Sequence, residues 1–260
     1  MLPGKSDEII LIVTLVFLCS LSWVMSPQKV KENPKNCKKN LQVFLLAGQS
    51  NMGGSGGVRR QIEKGIVKNA SWDGFVPKEC KPNPMVLRLN AAEKWEKAHE
   101  PLNYGIDCIR YCGLGPGMAF ANEILKRDPA FGVIGLVPCA RGGTGLHRWI
   151  RGSGLLWYHG ESDLKAKNAS SLYKSNLEKF FHDFCSDLQD SILPIFQVII
   201  PYPKKTFVAP YIEVVRAAQL EVNTPNVIKL DGKELELGPD GIHLTTPAQV
   251  RLGHMFANAF

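Results

Sequence analysis

Ser50 is the first residue in the chain whose type and setting could do covalent chemistry. It follows the compact apolar run Val43 to Leu46 through Ala47-Gly48-Gln49, the composition of a buried strand feeding a tight loop. Its hydroxyl would stand at the end of that strand, with Gly48 and Gly53 permitting a sharp turn. A hydroxyl is a poor nucleophile at neutral pH, so it needs a base within hydrogen-bond reach and a third group to orient that base. Asp240-Gly241-Ile242-His243 supplies both from one short loop, because Gly241 lets the carboxylate fold back onto the imidazole three residues on. Taken singly, the residues have plainer uses: Asp240 as a turn aspartate before glycine, His243 as a capping residue ahead of the last helix. The loop Gly48 to Gly54 lacks the Gly-Lys-Ser/Thr ending of a phosphate-binding loop. Met52 also stands where a Gly-x-Ser-x-Gly elbow needs glycine, so neither of those classes fits.

For these groups to meet, the end of the first strand must lie against a loop near the C-terminus. Gly53 to Gly117, rich in proline and glycine, reads as an elaborated loop region over one end of a sheet, with a short helix around Ala91 to Ala98. Beyond it the pattern becomes regular. Helical spacing runs from Gly117 to Arg127 and stops at Asp128-Pro129, and apolar strands follow at Gly132 to Cys139 and Leu155 to Tyr158. A helix over Leu172 to Leu188, a strand at Ile195 to Ile200, a helix over Tyr211 to Val222 and a strand at Val227 to Leu230 come next. Thr246 is the expected N-cap of a terminal helix, with Pro247 at its first position. Strands alternating with helices predict an α/β domain, a parallel sheet covered on both faces, with its site beyond the carboxyl ends of the strands.

At 260 residues and 45% hydrophobic content the chain can bury one sizeable core. Its net charge of +7 comes from scattered lysines and arginines rather than a basic stripe, which argues against a nucleic-acid partner. The apolar run Ile9 to Met25 reads as a secretory signal, shorter than the ~20 residues that span a bilayer, with Ser20, Ser22 and Ser26 near cleavage points. Asp7, Glu8 and the bulky Trp23 to Met25 keep an uncleaved anchor and a buried helix as alternatives. Residues 1–26 and a linker at 27–39 then precede a catalytic domain at 40–260, and a membrane partner arises only if the anchor is retained. Of seven cysteines, loss of Cys19 leaves Cys37, Cys80, Cys108, Cys112, Cys139 and Cys185, an even set that could pair fully or include buried thiols. Asn69-Ala-Ser71 and Asn168-Ala-Ser170 are glycosylation sequons on the same route.

Six runs together resemble the plant carbohydrate acetylesterases of the sialate O-acetylesterase-like branch of the SGNH hydrolases. They are Leu45 to Met52, Trp72-Asp73-Gly74, Leu114 to Met118, Gly135 to Ala140, Trp157 to Asp163 and Asp240 to His243. The resemblance covers nearly all of 40–260. It implies a flavodoxin-like three-layer α/β/α sandwich with a central parallel sheet, acting without a metal or cofactor on acetyl esters of a sugar or polysaccharide; a monomer secreted to the cell exterior or cell wall is expected. It assigns the nucleophile to Ser50, the base to His243 and the orienting acid to Asp240. The oxyanion donors map onto the Ser50 amide, Gly143 with Gly142 as its neighbour, and position 159. Arg141 and Trp149 flank the second oxyanion loop and could meet a sugar.

Two departures bear on activity. Where relatives carry glutamine in Trp-Tyr-Gln-Gly-Glu-Ser-Asp, this chain has His159. Losing one oxyanion donor costs a factor of about 10² to 10³ in turnover. The stretch before Leu155 is also short: a crossover needs about a dozen residues or more, usually helical, and of the available Ala140 to Gly154 the part from Arg141 to Trp149 must also furnish an active-site loop. One crossover helix is therefore expected to be missing. A catalytically silent glycan-binding relative is the competing expectation.

Overall fold

The computed structural model describes residues 41–63, 66–106, 112–139, 152–203 and 209–260. The expected signal and linker, together with Arg141, Gly142, Gly143 and Trp149, lie outside the described residues.

The first strand, β1 (Leu41–Gly48), is buried at Phe44, Leu45 and Leu46. It is the centre of a seven-stranded sheet because it is apolar on both faces and can accept a neighbour on each side. β6 (Val133–Cys139) and β7 (Gly152–Tyr158) run parallel to it on either side, with β8 (Ile195–Ile199) and β9 (Val227–Asp231) continuing beyond β7. On the other side β6 carries β4 (Val86–Leu89) in parallel, and β5 (Trp95–Lys97) closes the edge antiparallel to β4. The full order is β5-β4-β6-β1-β7-β8-β9, in which the five strands β6-β1-β7-β8-β9 have the flavodoxin-like arrangement with its switch point beside β1.

Helices cover both faces. α1 (Gly117–Arg127) packs on the terminal helix α4 (Thr246–Ala259), and α2 (Lys167–Asp187) on α3 (Ile212–Glu221). Phe44 meets Phe120 of α1 edge-on at 4.8 Å between ring centroids. On the other face Trp157 stacks on Phe180 of α2 at 4.6 Å. α4 is capped by the Thr245 hydroxyl, which accepts from the Ala248 N–H at 3.3 Å, one residue earlier than expected.

The proline- and glycine-rich stretch is more ordered than its composition suggests. It contains β4 and β5 and a separate hairpin, β2 (Val58–Glu63) with β3 (Ile66–Trp72). No helix forms over Ala91 to Ala98; β5 and its turn occupy that place. There the Asn90 side chain accepts from the Ala92 and Lys94 N–H groups, which folds the chain back on itself. Trp95 then lies over Gly135, where a side chain would collide with its ring.

Full cysteine pairing does not occur. Cys112 is disulfide-bonded, whereas Cys80 and Cys185 are buried thiols. Burial pushes the Cys80 thiol far up, with Glu100 and Glu79 adding to the shift, so it stays protonated. β7 begins three residues before the predicted strand, leaving 140–151 to connect it with β6. β6 ends opposite Ala47 and β7 begins opposite Val43; the crossover expected to lack its helix falls on 140–151, outside the described residues.

Candidate active site

The turn after β1 is forced by close packing. The β1 terminus at Gly48 has φ +137°, and a Cβ there would sit 1.9 Å from the Tyr158 carbonyl oxygen at the end of β7. Glycine is the one residue that fits. The Gln49 N–H donates to that carbonyl at 2.8 Å, and Ser50 follows at the switch point.

From the other end of the sequence, Gly241 (φ +76°) lets the loop before α4 curl around the Asp240 carboxylate. Its Oδ1 accepts from the Ile242 and His243 N–H groups at 3.1 and 2.9 Å. Its Oδ2 lies 2.7 Å from His243 Nδ1, and His243 Nε2 lies 2.8 Å from the Ser50 hydroxyl oxygen. Burial by itself would raise the Asp240 pKa. The hydrogen bonds from the His243 ring and amide, with the Ile242 amide, outweigh it and hold the carboxyl well below its usual range. A permanent carboxylate fixes the His243 proton on Nδ1 and leaves Nε2 to accept from Ser50.

Asn51, fully buried, locks the two loops together. Its amide donates to Glu161 Oε1 at 3.0 Å and to the Ile242 carbonyl at 3.3 Å, while its Oδ1 accepts from the Leu244 N–H at 2.8 Å. It thus grips the backbone on both sides of His243. Gln249 of α4 donates to the Asn51 carbonyl at 2.9 Å. The two acidic residues of the run Trp157 to Asp163 differ in this respect: Glu161 reaches Asn51, and Asp163 lies 3.9 Å from His159.

His159 is held in an unexpected way. Gln49 Oε1 accepts from the Ser162 N–H at 3.3 Å, which turns the Gln49 amide nitrogen toward His159 Nε2, 2.9 Å away. An amide nitrogen only donates, so Nε2 is the acceptor and the ring proton sits on Nδ1, facing the Tyr173 hydroxyl at 3.4 Å. Burial pushes the His159 pKa down to about 4, so the ring is neutral. In this arrangement His159 has no Nε2 proton to offer an oxyanion. Gln219 and Tyr173 both donate to the His159 carbonyl, fixing the backbone as well.

Gln49, Asn51 and Arg60 were not singled out as site residues. The first two flank Ser50 within the run Leu45 to Met52, so proximity to the nucleophile is their only signal in the sequence; Arg60 carries none. Among the described residues there is no group of three or more His, Cys, Asp and Glu side chains able to hold a metal ion.

The family model described as "carbohydrate esterase, sialic acid-specific acetylesterase" matches residues 40–153 and 151–260. A probable carbohydrate esterase of Arabidopsis thaliana is 42% identical over 241 aligned positions, covering 84% of this chain and 90% of the relative. Since 84% of 260 residues is about 218, about 23 aligned positions have no counterpart here. The family match comes as two segments that meet at 151–153, where β7 begins. A crystal structure of an Arabidopsis thaliana protein superposes with a TM-score of 0.72 at 40% identity, covering 85% of this chain and 97% of that one. NanS shares the fold, with a TM-score of 0.60 at 15% identity over 85% of this chain and 96% of its own. The chain belongs to the sialic acid-specific acetylesterase family of carbohydrate esterases and is a carboxylic ester hydrolase.

Proposed function

We propose that this esterase removes O-acetyl groups from a carbohydrate or polysaccharide through a Ser50-His243-Asp240 triad and an acyl-enzyme. The observation that carries the reading is the continuous path from the Ser50 hydroxyl through both ring nitrogens of His243 to Asp240, with contacts of 2.8 and 2.7 Å. His243 takes the Ser50 proton as Oγ attacks the acetyl carbonyl, and Asp240 stabilises the imidazolium that forms. His243 then returns the proton to the departing sugar oxygen, leaving acetyl on Ser50. Water, deprotonated by the same imidazole, attacks the acyl-enzyme and releases acetate.

The oxyanion is held by the Ser50 N–H and by the amide of Gly143, with Gly142 as its neighbouring alternative, both glycines lying outside the described residues; the third expected donor, His159, has no Nε2 proton to offer in this arrangement. Arg141 and Trp149 are the proposed sugar contacts. The chain is proposed to be secreted as a monomer after loss of residues 1–26, with glycans at Asn69 and Asn168. The Cys112 disulfide supports an oxidising compartment. Retention of the N-terminal segment would instead anchor the protein to a membrane.

Ser50→Ala is expected to abolish acetate release from acetylated xylan or acetylated sialic acid, and a serine-directed phosphonate to label Ser50. Wild-type turnover by Ser50→Ala would refute the triad. A second reading, glycan binding without turnover, is favoured by the absence of a free His159 Nε2 proton and by the short crossover. Binding of acetylated polysaccharide with no acetate release from the wild-type chain would establish it.

A further inference from the structure

Asp240 has one more partner than the triad requires. Arg60 Nη1 donates to Asp240 Oδ2 at 3.4 Å, the same oxygen that His243 Nδ1 reaches. With two backbone N–H groups on Oδ1 and two side-chain donors on Oδ2, all the acceptor directions of the carboxylate are used. The Arg60 side chain is 10% exposed and that of Asp240 is 18% exposed, so the pair is shielded from solvent.

The other arm of the same guanidinium reaches the nucleophile. Arg60 Nη2 donates to the Ser55 hydroxyl at 3.1 Å, and that hydroxyl donates to the Ser50 carbonyl at 2.9 Å. The bonds therefore close a ring: Ser50 carbonyl, Ser55, Arg60, Asp240, His243, and back to the Ser50 hydroxyl. Arg60 comes from β2, in the two-stranded hairpin that is separate from the main sheet. The root of the hairpin is tied down by the bridge between Gly56 and Leu114.

We propose that Arg60 is a positioning residue for ester hydrolysis, setting the distance between His243 and the Ser50 hydroxyl by holding Asp240 and the Ser55–Ser50 turn on one rigid fork. The inference rests on the triad reading. A planar guanidinium can span two acceptors in fixed geometry, which a single ammonium on a flexible stem does poorly. Without it the carboxylate keeps its backbone donors but loses the lateral contact on Oδ2, and the Ser50 turn loses its link to the acid. Misplacement of reacting groups by about 1 Å costs about 10²-fold in rate.

The test compares wild type, Arg60→Ala, Arg60→Lys and Ser50→Ala by steady-state hydrolysis of 4-nitrophenyl acetate and by the rate at which a phosphonate labels Ser50. Thermal melts verify that each variant is folded. Arg60→Ala is expected to lower kcat about 10- to 100-fold with KM within about twofold, and to slow labelling by the same factor. Arg60→Lys should lie between, and low-millimolar guanidinium ion should restore part of the Arg60→Ala loss. Wild-type kcat and labelling in folded Arg60→Ala would overturn the proposal, as would a change confined to KM. If Arg60→Ala does not fold, the Lys variant decides: wild-type kcat and labelling there refute the role. Full activity in Ser50→Ala would sink the triad reading instead, whereas an inert Ser50→Ala beside unaffected Arg60 variants sinks this inference alone.

Discussion

Replacing Glu161 with glutamine should remove a defined part of the pH dependence of stability. Oε1 of Glu161 accepts from Asn51, but Oε2 is a buried oxygen with no hydrogen-bond partner. Burial pushes its pKa from 4.5 up to about 7, the hydrogen bonds from its own backbone and from Asn51 opposing and Asp163 adding to the rise. The folded state therefore holds a proton that the unfolded state releases at lower pH. Stability from this group is fully present below pH 4.5 and is lost as pH rises to about 7. At 1.36 kcal/mol per pH unit the loss is about 3 kcal/mol. For a domain of this size that corresponds to about 6–12 °C in Tm. Melts of wild type and Glu161→Gln between pH 4.5 and 8 read the effect as a difference that closes toward acid. Glu100, pushed up to about 8, and His159, pushed down to about 4, contribute slopes of their own but are common to both proteins. Parallel Tm curves for the two proteins would refute the assignment of an enclosed, protonated Glu161.

His159→Gln should present the side-chain carbonyl to the Gln49 amide and free an N–H₂, raising kcat for acetate release by about 10-fold or more if position 159 faces the oxyanion. Unchanged rates would remove this position from the oxyanion hole. Asn51→Ala leaves the Leu244 N–H and Glu161 Oε1 without their partner, so stability should fall by about 2–5 kcal/mol, with kcat falling too because His243 lies between the two gripped residues. An unaltered Tm would contradict that accounting. Asn69 is exposed on β3, and expression through a eukaryotic secretory route should add a glycan that Asn69→Gln removes; an identical mass for both proteins would count against export or against use of that sequon.

Ser50, Asp240 and His243 could be picked out from sequence because each carries a local signal. A serine follows an apolar strand, and an aspartate precedes a histidine by three residues with glycine between. The βα alternation after Pro116 was equally legible, because helical and strand periodicities are set by which side chains must face the core. Between Gly53 and Gly117 the same reasoning missed β2, β3, β4 and β5. Prolines and glycines mask the period there, and the turn at Asn90 depends on one side chain outcompeting helical hydrogen bonds.

What the sequence determined by itself was therefore the layered architecture, which follows from periodicities at short range, and the esterase family, which follows from six runs taken together. Tertiary structure alone decided the rest. His159 could have been a donor or an acceptor until the Ser162 N–H turned the Gln49 amide toward it. Arg60 was one arginine among many until a separate hairpin laid it between Asp240 and Ser55. A hydrogen bond depends on the direction and occupancy of its partner's lone pairs, and those are fixed only when segments far apart in the chain are packed together.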